Sequence, residues 1–204
     1  MKHIEIFSNN PNPKQIDLIV NILKNEGIII YPTDTVYAIG CMSNSSNGLK
    51  KILKIKKSKV DNLTLSFMFK NISDLSKYVK PFNNKTYRVL NKYLPGPYAF
   101  IMDAQKKLPK PFHKKKEIGV RISENPIIQE ILNKIKIPLI TSSLHDKNKI
   151  TQYTSDPKII YDEWNTQVDL IIDGGYLENI PSTVVDIRDI DNITLIRRGK
   201  GSFI

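Results

Sequence analysis

Apolar positions along the chain alternate between short β-branched runs and longer stretches of helical spacing. Ile4–Phe7 reads as a strand. Over Lys14–Asn25 the residues Ile16, Ile19, Val20 and Leu23 fall on one helical face, and Gly27 follows as a stop signal. Ile28–Tyr31 is an uninterrupted apolar run, the pattern of a buried central strand. Asn47–Lys57 repeats Leu49, Ile52 and Leu53 at helical spacing. Helices are also expected over Ser73–Val79, Asn84–Leu94, Ile127–Asn133 and Pro157–Trp164. Strands are expected over Leu63–Phe69, Tyr98–Met102, Ile118–Ile122, Pro138–Thr141, Val168–Ile172, Thr183–Ile187 and Ile193–Arg197. This alternation predicts an α/β layer architecture. Near both ends strand signals follow one another without a helix between them, which predicts a mixed sheet. No repeat, low-complexity tract or linker interrupts the chain, so one domain is expected over residues 1–204, with its core at about 13–199.

Composition adds limits. With 204 residues, 40% apolar and 25% charged, the chain can build a core without staples. No apolar stretch approaches the ~18 residues that span a membrane, and the N-terminus carries no secretory pattern. The single cysteine, Cys41, excludes an internal disulfide framework and fits a reducing, cytoplasmic setting. Lys and Arg total 31 against 20 acids, a net charge of +11. Such an excess favours a polyanionic partner, although drift toward Lys, Ile and Asn gives the same balance. Arginine is scarce, at positions 88, 121, 188, 197 and 198.

Four segments, the second a pair of lysine runs, carry candidate chemistry. Tyr31-Pro-Thr-Asp-Thr-Val-Tyr37 follows the buried strand, where ligands of α/β sheets bind. Its hydroxyls can orient a polar substrate and Asp34 can meet an ammonium or a metal ion, or the segment is a turn capping its own backbone. Lys50–Lys59 holds six lysines. On a helix Lys50, Lys54 and Lys57 share one face and Lys56 lies nearer the apolar side, as a phosphate grip or as part of a solvated face. Lys106–Lys116 holds six more, including Lys114, Lys115 and Lys116, in a loop that contacts an RNA backbone or is simply basic. Pro138–Asp146 ends a strand in Thr141, Ser142 and Ser143, good anion ligands. Ser143 and His145 lack the nucleophile elbow of a covalent hydrolase. In the fourth segment, Gly174-Gly175 precedes Ser182-Thr183-Val184-Val185-Asp186 and Arg197. Arg121 and Arg197 end β-type runs, where a planar bidentate donor or a surface ion pair is expected.

Taken in order, Tyr-Pro-Thr-Asp-Thr-Val-Tyr-Ala-Ile-Gly-Cys (31–41), Leu-Pro-Gly-Pro-Tyr-Ala-Phe-Ile (94–101), Gly-Val-Arg-Ile (119–122), Pro-Leu-Ile-Thr-Ser-Ser (138–143) and Ser-Thr-Val-Val-Asp (182–186) resemble the YrdC family of threonylcarbamoyl-AMP synthases. The resemblance implies a twisted, mixed α/β sheet with flanking helices and a concave basic cavity. It implies synthesis of threonylcarbamoyl-AMP from threonine, bicarbonate and ATP for tRNA modification, with Mg²⁺ on the phosphates, and binding of double-stranded RNA. By the same resemblance Thr35, Ser143 and Ser182 hold the amino acid. Lys56, Asn62, Arg121, His145 and Arg197 contact the nucleotide. Lys56, Arg121, Ser143 and Ser182 serve the reaction. The lysine runs themselves, not the resemblance, supply Lys50, Lys54 and Lys114–Lys116 as candidate RNA contacts. No protein-held metal is expected.

The chain departs from the family pattern at Ser58, where a second cation is usual, at Phe67, where a substrate-side His falls, and at Ala99, His145 and Pro181. These departures, with Gln167–Leu177, resemble the YciO branch. Two readings follow: an adenylyl-transferring enzyme, or a nucleotide- and RNA-binding protein that kept the pocket without the synthase chemistry.

Overall fold

The computed structural model describes residues 2–7, 10–57, 65–106, 108, 110, 112–144 and 153–204. Among them ten strands form one sheet in the order β1-β8-β2-β3-β7-β4-β6-β5-β9-β10. The strands are β1 (Lys2–Glu5), β2 (Ile29–Tyr31), β3 (Ala38–Met42), β4 (Ser66–Met68), β5 (Tyr98–Asp103), β6 (Glu117–Arg121), β7 (Leu139–Ser143), β8 (Leu170–Asp173), β9 (Thr183–Asp186) and β10 (Thr194–Arg197). The sheet is mixed, as expected. β8 pairs parallel with β1 and β2, whereas β3 runs antiparallel to both β2 and β7.

The helices are α1 (Pro13–Lys24), α2 (Ser46–Ile55), α3 (Ile72–Leu75), α4 (Asn84–Tyr93), α5 (Pro126–Ile135) and α6 (Pro157–Trp164). One device starts three of them. Asn12, Asn125 and Asp156 each accept a hydrogen bond from the second residue beyond, and a proline follows each cap. The cap satisfies an orphan N–H, and proline fits the first helical position because its missing donor would have no partner there. α3 is shorter than expected, since Val79 leaves the helix and bridges to Ala104. β3 has no counterpart in the sequence reading. Every residue of Ala-Ile-Gly-Cys-Met is buried, so no polar alternation marks it, and Gly40 interrupts the kind of β-branched run that identifies β2.

Strand residues alternate between two faces. Phe67, Phe100, Val120, Ile140 and Val185 pack into one core with residues of α2, α4 and α6. On the opposite face α1 and α5 cover the sheet with Ile16, Ile19, Ile128 and Ile131, against Tyr31, Ala38, Met68 and Leu139. This second layer stops at β4: β6, β5, β9 and β10 contribute nothing to it. The uncovered part of that face is where the site lies.

Candidate functional site

A cavity of about 520 Å³ opens on this bare stretch of sheet. Its floor is built from alternate residues of neighbouring strands, with Ser66, Ala99, Ile101, Gly119 and Val184 among its lining. Three of these, Ser66, Ala99 and Gly119, carry a small side chain or none. A Cβ on Gly119 would stand 2.8 Å from Ser66 Oγ. Four cations line the cavity, Lys56, Lys115, Arg121 and Arg197, against one acid, Glu117.

Each cation is held differently. Lys56 caps the C-terminus of α2, and its Nζ donates to the Ser143 carbonyl at 2.6 Å. Burial lowers its pKa to about 8, because the charged form loses water. Arg121 ends β6 and is 5% exposed. Its Nη2 donates to Asp34 Oδ1 at 3.0 Å and to Thr35 Oγ1 at 3.2 Å. Ser123 Oγ donates to the same Asp34 oxygen at 2.7 Å. Arg121 Nε and Asp34 Oδ2 are buried without a hydrogen-bond partner among the described residues. The pair is therefore incompletely satisfied, with one donor and one acceptor left over.

Arg197 reaches the cavity through a break in register. Thr194 stands opposite Asp186 and Leu195 opposite Val185, but Val184 faces Arg197 rather than Ile196. The extra residue is a β-bulge, and it turns Arg197 to the cavity face. The guanidinium then donates to the Ser182 carbonyl from Nη2 at 2.9 Å and to Tyr153 Oη from Nη1 at 3.1 Å.

This geometry coincides with a match in sequence. Residues 21–199 match the family model of Sua5, YciO and YrdC proteins, which bears the description telomere recombination. The chain belongs to the Sua5/YciO/YrdC family. YciO of Escherichia coli K12 is 36% identical over 199 residues, 96% of this chain and 94% of its own. The crystal structure of E. coli YciO superposes with a TM-score of 0.90 over 99% of this chain and 98% of that one. A putative threonylcarbamoyl-AMP synthase of Methanocaldococcus jannaschii is 30% identical over 201 residues, covering 97% of this chain and 93% of its own. P. abyssi Sua5, crystallised with L-threonine, shares the fold at 19% identity, with a TM-score of 0.87 over 98% of this chain and 58% of that one.

Against the Sua5/YciO/YrdC expectations, the structure brings Lys56, Arg121, Ser143, Ser182 and Arg197 to one cavity wall. Thr35 stands behind it. It is 1% exposed and hydrogen-bonds to the wall at Arg121 and at Ser182 Oγ, the latter at 3.3 Å. Asn62 and His145 lie outside the described residues, as does Ser58. The substrate-side reading of Phe67 is corrected. It is buried in the opposite core, 5.1 Å from Phe112 and 6.2 Å from Phe69 between ring centroids. Its neighbour Ser66 faces the cavity instead. Asp34 meets Arg121 rather than a free ammonium.

The basic segments are also sorted by the structure. Lys50 and Lys54 are exposed on α2, but Lys57 no longer shares their helix, because α2 ends at Ile55 and Lys57 has a left-handed φ of 47°. Of the three basic loop residues, Lys115 lines the cavity while Lys114 and Lys116 are exposed. Tyr153, Ser123 and Thr183 support the site and were not anticipated, since their roles depend on contacts remote in sequence. No helix among the described residues is long and apolar enough to cross a membrane.

Proposed function

We propose that the cavity binds ATP with a small threonine-like amino acid and joins them, through bicarbonate, into a carbamoyl-adenylate of the threonylcarbamoyl-AMP type, in a cytoplasmic setting. The observation that carries this reading is the convergence of Lys56, Arg121 and Arg197, from three separate elements, on one cavity of about 520 Å³. Concave sites of this size suit a nucleotide-sized ligand, and clustered cations suit a polyphosphate.

In this reading the amino group takes up carbon dioxide and loses a proton. The carbamate oxygen attacks the α-phosphorus, and pyrophosphate leaves. The chain contributes positioning and charge stabilisation and forms no covalent bond to the substrate. Lys56 and Arg197 face phosphate charge, Arg121 faces the carboxylate or the α-phosphate, and Ser143 and Ser182 supply hydroxyls. Among the described residues no group of three His, Cys, Asp or Glu is placed to hold a metal. Mg²⁺ in this reading arrives with the phosphates, and no step is assigned to a protein-held ion.

Labelled ATP, threonine and bicarbonate test the reading directly. Pyrophosphate release that needs all three supports the synthase. ATP binding without release leaves a nucleotide-binding protein. Arg197→Ala removes a charged bidentate donor and is expected to weaken ATP binding by roughly 10–150-fold in calorimetry, corresponding to about 1.5–3 kcal/mol. Unchanged affinity would remove Arg197 from the site.

A second reading concerns RNA. Lys115 sits in the cavity lining with Lys114 and Lys116 exposed beside it, so one basic surface runs from the pocket outward. Duplex RNA or tRNA meeting this surface would bind through phosphates and release counterions. At roughly −0.9 per phosphate contact, a log–log salt slope steeper than about −2 is expected between ~50 and ~200 mM salt. Neutralising Lys114, Lys115 and Lys116 should flatten it. A flat response in the unmodified protein would leave the +11 charge without this role.

A further inference from the structure

Two of the cavity's polar residues, Ser182 and Arg197, stand where β9 begins and β10 ends: Ser182 precedes the first residue of β9, and Arg197, opposite Val184, is the last of β10. What joins these two ends is the backbone that follows β10. Lys200 N donates to the Pro181 carbonyl at 2.8 Å. Gly199 lies so close to 181–182 that a Cβ there would come within 2.2 Å of Pro181 O. The hydroxyl of Thr183 sits between the two segments. It donates to the Gly201 carbonyl at 2.5 Å and accepts from Gly199 N at 3.0 Å. Further along, Ser202 accepts from Tyr98 Oη at 2.8 Å, and Phe203 packs 4.7 Å from the Tyr93 ring.

Thr183 is 1% exposed and is absent from the cavity wall. As a β-strand residue it needs no hydroxyl, since valine has the same shape and an equal preference for strands. The hydroxyl's two bonds both go to the following segment. That segment in turn lies against Pro181–Ser182 beside the Val184–Arg197 pairing, and Arg197 closes the loop by donating to the Ser182 carbonyl.

We propose that Thr183 is a positioning residue: its hydroxyl clamps residues 199–201 against 181–182 and thereby fixes Ser182 and Arg197 at the cavity wall. The consequence for ligand binding rests on the nucleotide reading above, whereas the clamp itself does not.

The test compares Thr183→Val, which keeps the shape and loses the hydroxyl, with Thr183→Ser, which keeps the hydroxyl. Calorimetry with ATP and hydrogen exchange over 181–184 and 195–201 are measured on both, after melting curves establish that each is folded. Loss of two hydrogen bonds is expected to weaken ATP binding roughly 10-fold in Thr183→Val and to speed exchange at Gly199 and Lys200. Thr183→Ser should stay within about twofold of the unmodified protein in both. Unchanged exchange in Thr183→Val would overturn the clamp. Faster exchange with unchanged ATP affinity would overturn its positioning role. Should the unmodified protein bind no ATP, the nucleotide reading fails, and the clamp is decided by phenylglyoxal, which adds to guanidinium groups. Faster modification of Arg197 in Thr183→Val then upholds the proposal, and an equal rate rejects it.

Discussion

Arg121→Ala is expected to lose about 3–5 kcal/mol of unfolding free energy in denaturant titrations, beyond any effect on ligand binding. The cause lies in its partner. Asp34 has a side chain only 8% exposed, and the guanidinium of Arg121 is its ion-pair partner at 3.0 Å. Removing the arginine leaves a carboxylate buried with only neutral donors, Ser123 among them. Asp34→Asn in the Arg121→Ala background replaces that charge by a neutral amide and should recover most of the loss. Two single substitutions that each destabilise strongly, with a double that destabilises less than their sum, would identify a coupled pair. Additive losses would show that the two groups act independently.

Lys56→Met should move stability and binding in opposite directions. The half-buried ammonium donates to the Ser143 carbonyl, and burial lowers its pKa to about 8. An apolar side chain of similar length removes a costly charge from the interior, so a gain of about 1–3 kcal/mol in stability is expected. On the proposed nucleotide reading, the same change removes a phosphate donor and should weaken ATP binding roughly 10–150-fold. The pH dependence distinguishes this cause from general repacking. With the folded pKa near 8 and the unfolded value near 10.5, the unfolded chain holds more protons between those limits, so this lysine makes stability rise with pH across that window. The rise should vanish in Lys56→Met, and so should the decline in ATP affinity as pH climbs through about 8. A variant that melts no higher than the unmodified protein and keeps its pH profile would show that Lys56 is neither costly nor functional.

Much of the fold is legible in local chemistry. Apolar spacing locates α1, α5 and α6, and the structure adds the Asn-Pro and Asp-Pro pairs that start them. The α/β class and the mixed sheet follow from apolar spacing alone. β3 escapes because a fully buried strand carries no alternation, and its length and its Gly40 argue weakly for any element. At the site, positions at strand ends are readable and side-chain direction is not. Phe67 and Ser66 are adjacent, yet only Ser66 faces the cavity, since one residue of register exchanges the two faces. Arg197 shows the same sensitivity, because an unpaired residue inserted before it decides its direction. The supports at Tyr153 and Thr183 depend on partners 44 and 18 residues away, beyond any local pattern.

The layer of α1 and α5 that ends at β4 leaves the cavity face built from strands, with alternate residues of several strands turned to it. Ser66, Ala99, Ile101, Gly119 and Val184 look into the cavity, while Phe67, Phe100, Val120 and Val185, their neighbours in sequence, hold the opposite core. Recognition and folding are thus written on interleaved letters of the same words. A lineage can rewrite one set and keep the other. The scaffold itself is kept at 19% identity, with a TM-score of 0.87.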